Sequence, residues 1–70
     1  MKILVVVEQT DTGHSAYAPD LPGCVATGQS QADVESAMRE AIELHLEGMR
    51  AEGIQVPEPH AYVTVVEVAA

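Results

Sequence analysis

The sequence contains no tryptophan, no phenylalanine, one cysteine and only three lysines and arginines among its 70 residues. With two tyrosines as its whole aromatic complement, the chain must build its core from aliphatic side chains, which abound because 47% of the residues are hydrophobic. Cys24 alone forms no internal disulfide, and no CxxC or His/Cys cluster with zinc-ligand spacing is present. Domains below about 70–80 residues usually draw on a disulfide, a metal or a partner subunit for robust folding. Association with another chain is therefore expected. Lys2, Arg39 and Arg50 are scattered along the chain, which argues against direct nucleic-acid binding, because phosphate neutralisation by Lys and Arg supplies most of that affinity. No apolar run approaches the roughly 18 residues of a membrane span. Met1–Val7 is too short and lacks a cleavage site for a signal peptide, so a cytoplasmic protein is expected.

What the sequence has in excess is acid. Eleven Asp and Glu residues give a formal charge of −8 and a pI near 4.4, a surface suited to a basic protein partner.

Local patterning divides the chain into five elements. Ile3–Val7 is a continuous β-branched run, followed by turn chemistry over Glu8–Gly13, and His14–Ala18 reads as the returning strand of an antiparallel hairpin that Pro19 ends. Asp20-Leu21-Pro22-Gly23 supplies a second turn, with Pro22 presetting φ and Gly23 free to take positive φ, and Asp20 is expected to bond its own turn backbone. Cys24–Thr27 follows as a third short strand. Ser30 and Asp33 mark a helix start, and the helix runs to about Glu52, stopped by Gly53 and kept from resuming by Pro57 and Pro59. At about 100° per residue, Val34, Ala37, Met38, Ala41, Ile42, Leu44, His45 and Met49 share a broad apolar face, opposite Glu40, Glu43 and Glu47. Ala61–Val68 is again β-branched and reads as a last strand. The order β-β-β-α-β predicts a single small α+β domain, a mixed sheet with one helix on one face. Both faces of the first and last strands are apolar, so the uncovered sheet face is expected to be an oligomer interface, carried by Leu4, Val6, Val63 and Val65.

Few residues invite chemistry. His45 on the apolar helix face reads as a packed imidazole, and His14 and His60 have no reason in the sequence to converge with it. Cys24 has no basic neighbour and reads as a small buried hydrophobe. No metal site, cofactor or catalytic residue is expected. The helix acids form a ridge that can steer an oppositely charged partner.

The most distinctive stretch is Tyr17-Ala-Pro-Asp-Leu-Pro-Gly-Cys24 with Thr27-Gly28. With Ala41-Ile-Glu-Leu-His-Leu-Glu-Gly48 and Pro57-Glu-Pro59, in this order and spacing, it resembles the HicB antitoxin family over nearly the whole chain. The resemblance implies a partial ribonuclease-H-like fold and a non-enzymatic role: binding and neutralising HicA, a small basic toxin that cleaves messenger RNA. Longer members of that family add a C-terminal DNA-binding module; residues 1–70 are expected to form one HicB-like domain without it. For contacts with such a partner the sequence offers the corner Asp20, Leu21, Pro22 and Gly23 with Tyr17, and the ridge Glu40, Glu43 and Glu47. Two other readings stand beside this one. One is an orphan homo-oligomeric binding module. The other is a ribonuclease-H-like nuclease, for which the strands offer only Glu8 and Glu67 at their ends, short of the carboxylate cluster that two-metal chemistry requires.

Overall fold

A computed structural model describes all 70 residues. Three short strands, β1 (Val6–Gln9), β2 (His14–Tyr17) and β3 (Val25–Gly28), precede one long helix, α1 (Gln31–Ala51). The strands form an antiparallel sheet in sequence order, with Val7 opposite Ala16 and Ala16 opposite Ala26. Side chains alternate across a strand. Val7, Ala16 and Ala26 therefore face α1, and Val6, Tyr17 and Val25 form a row on the outer surface.

The turns follow from local chemistry. In the β1–β2 connection the Thr10 N–H donates to the Gly13 carbonyl at 2.8 Å. The β2–β3 corner closes through Leu21 N–H to Ala18 O and Cys24 N–H to Leu21 O, both 3.0 Å, and Gly23 takes the expected positive φ of 83°. Ser30 caps α1, its hydroxyl accepting from the Asp33 N–H at 3.1 Å. At the other end, Gly53 N–H to Arg50 O and Ile54 N–H to Met49 O make a Schellman motif, with Gly53 at φ 70°.

The core is small and made of small residues: Ala16, Ala18, Leu21, Cys24, Val34, Met38 and Leu46 are buried, flanked by Ile3, Val5, Ala26, Ala41, Ile42, Met49 and Val56. Two helix positions differ from expectation. Leu44 is 68% exposed, whereas Leu46 is buried. About 100° per residue places Leu44 roughly 120° from the centre of the buried stripe and Leu46 only about 80° from it.

The larger difference is the last strand. Ala61–Val68 joins no sheet, so the sheet is three-stranded and wholly antiparallel rather than mixed. The backbone of residues 62–70 makes no hydrogen bond, and a strand exists only by virtue of a ladder partner. The radius of gyration, 14.0 Å, exceeds the about 11 Å of a compact chain of this length because this arm projects from the body.

A candidate partner-binding surface

The β2–β3 corner, singled out as a contact surface, has a mixed fate. Leu21 is 1% exposed and belongs to the core, so it is not available to a partner. The closure of the corner, completed by Ala18 N–H to Cys24 O at 3.1 Å, folds Leu21 back into the core. Pro22 and Gly23 are exposed, and Tyr17 is partly exposed on the outer face. Asp20 does not bond its own turn. Its carboxylate accepts from the His60 N–H at 3.1 Å and the Ala61 N–H at 3.2 Å, tying the corner to a segment 40 residues away. The residue therefore fixes the root of the projecting arm.

Glu40, Glu43 and Glu47 are all exposed on α1. Asp33 and Glu35 are exposed on the same helix and Glu52 at its C-cap, against Arg39 and Arg50 as its only Lys or Arg residues. Glu43 also borders a groove of about 560 Å³ between α1 and the N-terminal segment. Its apolar walls are Ile3, Val5 and Val7 on one side and Met38, Ile42 and Leu46 on the other. The remaining expected interface residues divide. Leu4 and Val6 are half-buried, while Val63 and Val65 stand in solvent on the arm.

The groups that could carry chemistry are dispersed. No three His, Cys, Asp or Glu side chains stand close enough to share a metal ion. His45 is half-buried on α1 and His60 exposed at the arm's root. His14 lies in a polar cleft with Thr10, Thr12, Ser15, Thr27 and Gln29, and its buried Nδ1 has no protein partner. Cys24 is buried, and desolvation pushes its thiol pKa above the ordinary value, which suppresses the nucleophilic thiolate. No helix is long and apolar enough to cross a membrane.

A three-stranded antiparallel sheet backed by one capped helix, with an acidic helix surface and no clustered reactive groups, defines a small α+β domain whose visible features are surfaces for association. Comparison with known proteins gives the family. Residues 3–69 match the model of the HicB-like antitoxins of bacterial toxin-antitoxin systems, and the chain belongs to that family. It is 31% identical over 70 residues to a UPF0150 protein of Helicobacter pylori, covering 99% of this chain and 97% of that one. It is 30% identical over 54 residues to an uncharacterized 14.9 kDa protein from the rep-hol intergenic region of Haemophilus phage HP1, covering 77% of this chain and 41% of the phage protein. Its fold matches a chain of a solved HicA3 and HicB3 toxin-antitoxin complex with a TM-score of 0.66 and 29% identity, over 83% of this chain and 72% of that one.

Proposed function

We propose that this protein neutralises a small basic HicA-type toxin by binding it and covering its RNA-contacting surface. The observation that carries the reading is the exposed acid of α1, where Glu40, Glu43 and Glu47 stand in solvent on a chain of formal charge −8. An RNA-cleaving toxin must present positive charge to phosphates. An acidic helix surface competes for that charge and raises the rate of encounter. The family membership and the likeness to a chain of a HicA3 and HicB3 complex support the same partner class. Inhibition here is by occupation: the acids are spread along a helix rather than gathered around a reacting group, and the chain acts without catalysis or cofactor. Tyr17, Asp20, Pro22 and Gly23 form a second contact edge at the corner, with Asp20 acting through its hold on the arm.

The test is cleavage of a labelled messenger RNA by a HicA-type toxin encoded beside this chain, with and without an equimolar amount of the purified protein. Protection of the RNA supports the reading, and undiminished cleavage overturns it. Glu40→Lys with Glu47→Lys, leaving the groove-bordering Glu43 intact, should weaken toxin binding at least about tenfold at low ionic strength. The deficit should shrink at high salt. Unchanged affinity at low salt removes the ridge from the contact surface.

A further inference from the structure

We propose that two copies of this chain form a closed dimer by exchanging their C-terminal arms, the Ala61–Val68 strand of each lying in the groove between β1 and α1 of the other. The arm has the chemistry of a strand without the surroundings of one. Tyr62, Val63, Val65, Val66 and Val68 are 73–91% exposed, and no backbone group from residue 62 onward is hydrogen-bonded. An apolar, β-branched segment with unpaired N–H and C=O groups is a template for pairing with another strand. Apolar residues occur at both alternations, Val63 and Val65 on one side and Tyr62, Val66 and Val68 on the other, as in strands covered on both faces.

The same molecule carries the matching vacancy. β1 is an edge strand, so its side facing away from β2 has no ladder partner, and Ile3–Val5 before it pair with nothing on either side. Beside that edge lies the groove lined by Ile3, Val5, Val7, Met38, Ile42 and Leu46. Eight residues of extended arm span about 26 Å, close to the about 24 Å of α1 from Gln31 to Leu46 that lines the groove. Docked there, the arm adds a fourth strand and places its valines against the partly exposed apolar residues of both walls.

Charge and geometry select the occupant. Between Ala61 and Ala70 the arm has one charged side chain, Glu67, in a chain otherwise rich in acid, so nothing in it recognises a basic protein. The arm's own groove is left empty of it: Asp20 holds the root at the β2–β3 corner and the chain beyond leaves the body. A second copy supplies an arm and a groove together, and reciprocal exchange about a two-fold axis leaves neither unsatisfied.

The experiment uses the full chain. Analytical ultracentrifugation at tens of micromolar should give a dimer. An equimolar mixture of carbon-13-labelled and unlabelled protein, unfolded and refolded together, should show isotope-filtered contacts from Val63, Val65, Val66 and Val68 methyls to Ile3, Val5, Ile42 and Leu46 of the other copy. Val65→Pro removes a ladder donor and should weaken dimerisation about 100-fold or more. A monomeric mass overturns the proposal, as do arm contacts confined to the same chain or an arm that docks only when a toxin is added. The filtered contacts come from the unsubstituted protein, so they decide the matter even if the proline variant fails to fold. They need no toxin, and their failure is distinct from a failure of the antitoxin reading.

Discussion

A single methyl group at position 28 tests the central packing joint of this fold. Gly28 ends β3 where the chain turns into α1, and a Cβ built there would lie 2.5 Å from the Val34 backbone nitrogen and 2.9 Å from both Asp33 C and Val34 Cα. All three are backbone atoms, so no side chain can rotate out of the way. Ordinary contact begins near 3.4 Å, which means that the helix start and the end of β3 must part by about 1 Å. The Val34 N–H makes the first bond of α1, to Ser30 O at 3.0 Å, and the Val34 side chain is fully buried. Separation therefore strains the helix nucleus and loosens the core at once. Overpacking of this kind costs about 2–4 kcal/mol. A 70-residue domain has roughly 4–10 kcal/mol in total, so Gly28→Ala removes a large share. At about 4–8 °C per kcal/mol for a domain of this size, the midpoint should fall by at least about 8 °C. The assay is thermal unfolding followed by circular dichroism at matched protein concentration, which the proposed self-association makes necessary. Gly48→Ala is the internal control: it is exposed near the C-terminal end of α1 with nothing within 4 Å of an added Cβ. It should gain about 0.5–1 kcal/mol from helix propensity. A fall of less than about 2 °C for Gly28→Ala would refute the reasoning, as would equal shifts in the same direction for both variants.

Two further predictions rest on particular contacts. Asp20→Ala removes the acceptor of the His60 and Ala61 N–H groups; at this half-exposed site the loss should be about 1–2 kcal/mol. Hydrogen exchange at residues 60 and 61 should accelerate selectively, and unchanged protection there would show that the carboxylate does not hold the arm's root. Cys24, with its thiol pKa raised by desolvation, should react with a disulfide reagent at pH 8 at least about tenfold more slowly than free cysteine. Reaction at the free-cysteine rate in the folded protein would contradict its burial.

The features legible in the sequence are those whose causes are local. Ser30 with Asp33, Gly53 before two prolines, and Gly23 after Pro22 each satisfy or relieve backbone groups within a few residues, and the structure has a helix cap, a Schellman motif and a positive-φ glycine at these positions. What the sequence concealed is non-local. Leu21 sits among turn residues and reads as surface, yet an apolar side chain in so polar a corner was a sign of burial. Asp20 has the composition of a turn acceptor, but its partners are 40 residues on, beyond any local pattern. Ala61–Val68 has the β-branched content of a strand, and no composition reveals which edge it pairs with, or in which molecule. Leu44 and Leu46 are chemically identical; only the helical angle about the core separates them. The acidic ridge was correctly placed in solvent, because charge opposite an apolar stripe is set by periodicity alone.

The two associations proposed for this chain must answer salt in opposite ways, and this separates them without mutation. Attraction between the acidic helix and a basic toxin is a Coulomb effect between exposed charges, and it fades as the screening length falls from about 10 Å at 0.1 M to about 3 Å at 1 M. Arm exchange brings together two chains of formal charge −8. There the charges repel, while the attraction comes from valine side chains and a strand ladder that salt does not screen. Raising the salt should loosen the toxin complex and leave the dimer as tight or tighter. If both associations weakened in parallel over that range, the apolar arm could not be what holds the two copies together, and the acidic face would have to serve both partners.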